Sequence, residues 1–292
     1  MSHSFPLGVR VGGSALPDGV MMLTPLAAAI ARTGPDGFSV ESFPLPQRTP
    51  HPIEKLPFIR IVPKLVSQMS LVVRGWKPRT ARFPAPVIAA ALSIGVLSML
   101  LNVSLTRLPA VWHAVGSSLL QLALFFGLIG ATRLVPQLGR IWRFHGGEHQ
   151  AIAAYESGMD LTVENARTRT LYHPRCGTNL ATLSIILMVP GMVVGSVVPG
   201  FLGYLITVAV PLPALCVAFE IVMLGQKRIR AVLWPGLAFQ RLTVAMPGPV
   251  ESMAGIMALQ AALVEHEKAE AARQRLTEPE MLVSRLGARS AQ

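Results

Sequence analysis

Apolar residues in this chain are concentrated in three long stretches without Asp, Glu, Lys or Arg: Phe83–Thr106 (24 residues), Leu108–Thr132 (25 residues) and Gly177–Phe219 (43 residues). A helix that spans a bilayer needs about 20 such residues. The first two stretches therefore predict one membrane-spanning helix each. Because only Arg107 and its neighbours separate these helices, they are expected to form a tight hairpin. The third stretch predicts either two shorter helices with a break at Pro199-Gly200 or a re-entrant hairpin.

The remaining segments carry patterns typical of soluble or surface-lying structure. Leu26–Arg32 and Phe38–Ser42 flank Gly34–Gly37, a turn sequence of Gly, Pro and Asp, which predicts a β-hairpin. Ile53–Val73 mixes apolar positions with basic residues and predicts a helix at the membrane interface. Val250–Leu276 predicts an amphipathic helix. Its apolar face is expected to hold Met253, Ile256, Met257, Leu259, Leu263 and Val264.

Together these patterns predict a mainly α-helical membrane protein with about four transmembrane helices, a small N-terminal segment that contains β-structure, and a C-terminal amphipathic helix. Only 14% of the residues are charged, against about a quarter in soluble domains. The predicted parts are a cytoplasmic N-terminal segment at 1–82, a transmembrane hairpin at 83–132, a cytoplasmic loop at 133–179, a second transmembrane hairpin at 180–224, and a cytoplasmic helix and tail at 225–292.

The distribution of basic residues predicts the orientation in the membrane. Residues 1–82 hold ten Lys and Arg, the loop 133–176 holds six, and the tail after Gly225 holds nine, whereas the connection between the first two spans holds Arg107 alone. By the positive-inside rule, both termini and the central loop of this multi-pass protein are expected on the cytoplasmic side of the cell membrane. Basic segments beside anionic lipid explain the net charge of +11. The bilayer is therefore the expected partner, and nucleic acid is not.

Glu220 follows the third apolar stretch and falls within or at the end of the fourth predicted span. An ionisable side chain at such a depth is costly and is usually paired. Lys227 and Arg228 are the basic residues close to it in the sequence, and either can serve as the partner if the carboxylate extends toward the membrane surface.

The segment His145-Gly146-Gly147-Glu148-His149 is the strongest candidate for chemistry. On a helix, two imidazoles four residues apart share one face and can bind one metal ion. Glu148 beside them is the candidate catalytic residue, as a general base, and the same residue order occurs in inverted zinc peptidases. The two glycines oppose helix formation by about 1 kcal/mol each relative to alanine. The alternative is a pair of hydrogen-bonded histidines, with Glu148 in a salt bridge to Arg143.

A metal ion bound by this segment needs at least one further ligand, and His173-Pro174-Arg175-Cys176 offers the best donors. Its nitrogen and sulfur ligands stand three residues apart, as in a zinc knuckle. The expected cofactor is a divalent metal ion, and zinc is favoured because it prefers imidazole and thiolate. Four ligands (His145, His149, His173 and Cys176) would make the site structural, whereas three ligands and water would leave it catalytic. The alternative for Cys176 is a small buried residue.

Several short blocks, spread over most of the chain, resemble a known family. They are Gly12-Gly13 through Gly19–Met22, Pro57–Arg60, Phe144–His149, Ala154–Glu156, Leu161–Asn165, His173–Thr178, and Pro235–Leu237 with Gln240–Thr243. In these blocks the chain resembles the YqhQ-like family of bacterial multi-pass membrane proteins, a family of unknown function often described as predicted metal-dependent enzymes. The chain departs from it at Ser14–Gly19, where the family usually has Gln-Ala-Val-Ile-Glu-Gly, so that Asp18 replaces the glutamate. The resemblance implies a membrane fold and a metal, but no known reaction.

Two classes of function agree with these observations. The first is a membrane-embedded metal-dependent hydrolase that acts on a membrane protein segment, a peptide or a lipid-linked molecule at the cytoplasmic face, with Glu148 taking a proton from water. The second is a non-enzymatic membrane scaffold or biogenesis factor. In that case a structural metal site holds the central loop, and the basic surface binds a membrane protein partner. The sequence leaves open whether the chain is an enzyme.

Overall fold

The structure is a computed structural model of the chain. It describes Phe5 and residues 7–46, 52–75, 85–105 and 107–289. The chain forms two compact units from interleaved segments, which we name the sheet unit and the helical unit. The sheet unit comprises Met1–Thr49, Phe144–Thr170 and Pro247–Gln292, and the helical unit comprises Pro50–Arg143 and Leu171–Met246.

The sheet unit begins with four antiparallel strands, each paired with the next along the chain. Their bounds are β1 Gly12–Leu16, β2 Gly19–Leu23, β3 Ala27–Gly34 and β4 Gly37–Pro44. Gly34 pairs with Gly37, so that Pro35 and Asp36 form a two-residue turn between β3 and β4. Gly37 has a φ of 109°, a conformation that glycine adopts at little cost. The predicted N-terminal hairpin is therefore confirmed.

Three helices contribute to the sheet unit. They are α4 (Pro136–Glu156), of which the residues from Phe144 onward belong to this unit, α5 (Val163–Arg167) and α10 (Pro249–Arg289). α10 packs across β2, β3 and β4. Its Leu259 and Leu263 are buried in one core with Phe144 of α4 and Met22 of β2. The C-terminal helix predicted from the sequence is thus confirmed, and its first half forms a large part of the core.

The buried face of α10 differs from the predicted apolar face at two positions. Met253 and Val264 are 38% and 40% exposed, although both were assigned to that face. The buried stripe runs instead through Ala254, Ala258 and Ala262, which are fully buried. The prediction was wrong at these two positions because it gave weight to large apolar residues, whereas alanine allows the helix to lie close to the sheet.

The helical unit is built from seven helices within the described residues, besides the start of α4. They are α1 Ile61–Gly75, α2 Ala85–Leu105, α3 Ala110–Ala131, α6 Gly177–Val197, α7 Gly200–Ala209, α8 Pro211–Lys227 and α9 Trp234–Thr243. α6 is central, because it packs against α3, α7, α8 and α9. The predicted break at Pro199-Gly200 is confirmed: α6 ends at Val197, and Gly200 begins α7 with a φ of 71°.

Three helices among the described residues are long and apolar enough to cross a membrane. They cover Val111–Leu134, Gly177–Val197 and Gly200–Lys227, the last of which joins α7 and α8. Their surfaces expose large apolar side chains such as Leu119 and Phe201, which is typical of helices that face lipid. A fourth span, predicted at Phe83–Thr106, corresponds in position to α2, a helix of 21 residues without a charged side chain. Whether α2 crosses the membrane remains a prediction.

The segment before α1 is less helical than the sequence predicted for Ile53–Val73. A short 3-10 turn at Pro52–Lys55 is followed by an irregular stretch, and α1 begins only at Ile61. Phe58 lies in this stretch with a φ of 65°, a conformation that is uncommon for a residue other than glycine. The helix is therefore present from Ile61 onward, and the irregular stretch contains Pro57, one of the two prolines (with Pro63) that were expected to limit the regularity of this segment.

The irregular stretch is fixed to α8 through Glu220. The carboxylate of Glu220 accepts hydrogen bonds from the backbone N–H of Phe58 (3.0 Å) and from Nε of Arg60 (2.9 Å), and a second Arg60 N–H contacts its other oxygen. Arg60 and Lys64 also lie over the ring of Phe219, at 5.7 Å and 5.5 Å. The partner of Glu220 is thus Arg60 rather than Lys227 or Arg228, because a residue about 160 positions away folds back onto it.

Replacement of Arg60 by methionine is expected to lower the free energy of unfolding in detergent by about 1 kcal/mol, since a half-buried carboxylate would lose its charged partner. Thermal unfolding of the purified protein measures this effect. Lys64→Met is the matched control, because Lys64 lies over the same ring but donates no described hydrogen bond to Glu220. Equal stability of the two variants would contradict the assignment of Arg60 as the partner.

Candidate metal centre

The His145–His149 segment is helical throughout, as a shared ligand face requires. It lies inside α4 (Pro136–Glu156), even though two adjacent glycines disfavour a helix. A Cβ atom on Gly147 would overlap the backbone oxygen of Glu251 in α10, and one on Gly255 would lie 2.6 Å from the oxygen of Gly147. The two helices therefore cross backbone to backbone at Gly147. The packing gained at this crossing offsets the low helix propensity of the glycine.

The start of α10 is fixed by its own cap, which keeps the crossing in place. The carboxylate of Glu251 accepts a hydrogen bond of 3.0 Å from the backbone N–H of Gly248, as in a capping box. Gln150 of α4 and Ser252 of α10 are buried beside these residues, at 1% and 0% exposure. Their side-chain oxygens have no hydrogen-bond partner within the described part of the chain. Neither residue was predicted to be functional from the sequence, because an isolated Gln or Ser belongs to no recognisable motif.

The two histidines of α4 lie side by side, one turn apart. Their ring centroids are 4.4 Å apart at an interplanar angle of 67°, and their candidate ligand nitrogens are within 4.8 Å of one another. Two nitrogens bound to one zinc ion at about 2.0–2.1 Å in tetrahedral geometry would be about 3.4 Å apart. Rotation of the rings is therefore enough to bring both nitrogens onto one ion. His149 is buried and His145 is half-buried.

Glu148 is buried on the side of α4 that faces β1. Its Cγ, Cδ and Oε1 atoms lie 2.8–2.9 Å from the position that a Cβ atom on Gly13 would take. Any side chain at position 13 would therefore displace the carboxylate. Glu148 directly precedes His149 in α4 and is therefore a close neighbour of the histidine pair.

The second predicted pair of ligands lies in the helical unit, in a turn that leads into α6. The backbone N–H of Cys176 donates to the oxygen of His173 at 3.2 Å. Cys176 is the N-cap of α6: its sulfur accepts the backbone N–H of Thr178 at 3.4 Å, and its thiol donates to the Thr178 hydroxyl at 3.2 Å. Cys176 is half-buried and His173 is buried.

The ring of His173 closes this turn. Its Nδ1 accepts the backbone N–H of Arg175 at 3.3 Å, so the Nδ1 lone pair is engaged. The ring of His173 and the sulfur of Cys176 therefore both take part in the hydrogen bonds that close this turn. The four predicted ligands form two pairs, one pair in each unit.

Comparison with known proteins supports the resemblance found in the sequence. A family model described as "Protein of unknown function (DUF1385)" matches residues 57–265, which include both pairs of candidate ligands. The protein described as "Uncharacterized protein YqhQ" from Bacillus subtilis (strain 168) is 30% identical over 165 residues, which cover 52% of this chain and 51% of that protein. The chain thus spans about half the length of this relative. No solved structure matches.

Proposed function

The chain belongs to the DUF1385 family, and from that premise we propose that it is an integral membrane protein with a zinc-type metal site at the cytoplasmic membrane face. The proposed ligands are His145 and His149 with Cys176. The observation that carries the proposal is the pair of adjacent imidazoles on one turn of α4, within reach of a single ion. His173, which lies three residues before Cys176 in the same turn, remains a predicted further ligand.

The chemistry of these residues fits zinc. Imidazole nitrogen and thiolate sulfur are the donors that zinc prefers, and two imidazoles alone hold an ion poorly. The sulfur of Cys176 accepts the backbone N–H of Thr178 at the start of α6, and Cys176 is not in a disulfide. A free cysteine on the cytoplasmic side stays reduced and so remains able to bind a metal.

The first proposed activity is hydrolysis of a membrane-associated substrate. A bound zinc-type ion supplies Lewis acidity at the histidine pair. Glu148 accepts the proton of the attacking water, and its burial beside Gly13 keeps the carboxylate away from bulk solvent. The proposed substrate is a peptide segment or a lipid-linked molecule that reaches the site from the bilayer, which agrees with three helices long and apolar enough to cross a membrane.

A second function is favoured by one observation, the packing of Glu148 against β1. A carboxylate fixed there can join α4 to the sheet instead of serving as a base. The metal would then be structural, and the protein would act as a membrane scaffold or biogenesis factor whose basic cytoplasmic surface binds a membrane protein. The two functions predict different effects of Glu148→Gln: the hydrolase would lose activity, whereas the scaffold would keep its function.

Metal content tests the proposed site. The purified protein is expected to contain about one zinc-like ion per chain, since a site with imidazole and thiolate ligands retains zinc through purification. Elemental analysis of the protein in detergent, normalised to its concentration, gives this ratio. Absence of any transition metal, together with no binding of added zinc, would contradict the proposal.

The orientation in the membrane is tested by labelling single added cysteines in intact cells. A cysteine at the exposed position Glu164 is expected to be protected from a membrane-impermeant thiol reagent, because the positive-inside rule predicts a cytoplasmic location for the basic loop 133–176. A cysteine at Pro199, exposed between α6 and α7, is the control and is expected to be labelled. The reverse pattern would overturn the orientation.

A further inference from the structure

A buried polar cluster in the helical unit surrounds the turn that carries Cys176. Gln240 of α9 and Asn179 of α6 are both fully buried, at 0% exposure. They lie on two helices, α6 and α9, that pack against each other. A polar side chain in such a place is costly unless its hydrogen bonds are made. The partners of these two amides therefore indicate what the cluster does.

Gln240 pairs with the backbone of His173 as a neighbouring peptide group would. Its Nε2 donates to the oxygen of His173 at 2.9 Å, and its Oε1 accepts the N–H of His173 at 2.9 Å. Both backbone groups of one buried residue are thus satisfied by one side chain. Loss of the amide would remove the acceptor of the His173 N–H, whereas the His173 oxygen would keep its hydrogen bonds from the Cys176 N–H and from the Asn179 side chain. The position of His173 is therefore fixed from α9.

Asn179 holds the same turn from the other side. Its Nδ2 donates to the oxygens of His173 (3.2 Å) and Pro174 (2.8 Å), and its backbone N–H donates to the oxygen of Cys176 (3.0 Å). Gly236 of α9 provides the space, because a Cβ atom there would lie 2.6 Å from the Cα of Asn179 and would overlap its side-chain oxygen. The close contact between Gly236 and Asn179 therefore explains why the block Pro235–Leu237 contains a glycine.

α9 also reaches Cys176 through a second route. The sulfur of Cys176 contacts the hydroxyl of Thr178, and that hydroxyl lies 3.4 Å from the hydroxyl of Thr243, which is buried one turn after Gln240. Two residues of the block Gln240–Thr243 thus act on the two ends of the turn. The backbone at His173 and the direction of the Cys176 sulfur are both set by α9.

We infer that Gln240 is a positioning residue that, together with Asn179, fixes the His173–Cys176 turn and so directs the Cys176 sulfur. What the sulfur binds rests on the proposed function, but the positioning itself does not. For the metal, a residue that orients a ligand contributes about 10–100-fold to affinity. Gln240 is expected to contribute within this range.

The test compares Gln240→Met with Arg241→Ala, both in a Cys216→Ser background. Methionine keeps the size of the side chain but removes both hydrogen bonds, and Arg241 is the exposed neighbour on the same helix. In metal-free protein, well below its unfolding temperature, Gln240→Met is expected to change the rate of Cys176 alkylation several-fold, while Arg241→Ala leaves it unchanged. Gln240→Glu keeps the acceptor for the His173 N–H and is expected to restore part of the wild-type rate.

Zinc affinity is the second readout. Gln240→Met is expected to bind zinc about 10–100-fold more weakly than wild type, and its cobalt derivative is expected to lose intensity in the sulfur-to-metal charge-transfer band. If the Cys176 alkylation rate of Gln240→Met equals that of wild type, the positioning inference is overturned, even if the variant melts earlier. If wild type binds no metal but the alkylation rates differ, the positioning stands and the metal function fails.

Discussion

Replacement of His149 by alanine is expected to lower the affinity of the protein for zinc by at least about 100-fold. A residue that only orients a ligand changes metal affinity by about 10–100-fold, so the loss of a ligand itself costs more. His149 is 2% exposed and lies one turn from His145, so no other side chain of α4 can take its place on the shared face. Competition of the purified variant with a chelator of known affinity measures the change.

His113→Ala is the control for this experiment. His113 lies in α3, in the helical unit, and takes no part in the proposed site. The variant is expected to bind zinc as wild type does. If His149→Ala retains the wild-type zinc affinity, α4 does not hold the ion, and the histidine pair is an internal contact between two rings.

Replacement of Glu148 by glutamine is expected to lower activity by about 100-fold or more if the protein is a hydrolase. Glutamine keeps the size of the side chain but cannot accept the proton of water, and loss of general acid–base help usually costs about 10²–10⁴-fold. Metal content is expected to stay at the wild-type value, since Glu148 acts in this proposal as a general base and not as a ligand of the ion. Complementation of a deletion strain over serial dilutions measures activity without knowledge of the substrate.

Two glycines of β1 provide a matched test of the position of Glu148. A Cβ atom on Gly13 would collide with the Glu148 side chain, whereas one on Gly12 meets nothing within 4 Å. Gly13→Ala is therefore expected to reduce complementation in the same direction as Glu148→Gln, and Gly12→Ala is expected to be tolerated. Full complementation by Glu148→Gln with metal still bound would exclude the hydrolase. The scaffold would then remain, and Cys176→Ser would be expected to destabilise the protein.

The elements that were predicted well depend on local patterns. Long runs without charge predicted the apolar helices, and the break at Pro199-Gly200 was predicted because these residues do not continue a helix. The hairpin of β3 and β4 was predicted from its Gly-Pro-Asp-Gly turn. In each case the signal and the structure lie within a few neighbouring residues. The sequence was therefore sufficient for them.

The features that were missed depend on contacts between distant residues. Glycine at position 147 disfavours a helix locally, and only its crossing with α10 explains why the helix is continuous. Glu220 was assigned a partner close in sequence, but Arg60 lies on a segment about 160 positions earlier. The spacing of apolar and polar residues along the chain does not indicate either contact, so neither contact could be predicted from the sequence.

In the candidate site, too, features that depend on local spacing were predicted and features that depend on distant contacts were not. The spacing of His145 and His149 predicts a shared helical face, which α4 provides. The spacing of His173 and Cys176 predicts that at least one of them is a ligand, but it does not indicate which backbone N–H the ring of His173 accepts. The parts played by Gln240 and Asn179 follow from burial and hydrogen bonds, which an isolated amide in the sequence does not reveal.

X-ray absorption at the metal edge of the purified protein tests the proposed metal site, because it reports the atoms bound to the ion. Imidazole nitrogens are expected at about 2.0–2.1 Å and one sulfur at about 2.3 Å, with the sulfur lost in Cys176→Ser. A shell made only of oxygen atoms, or a protein that holds no transition metal at all, would contradict the proposed site.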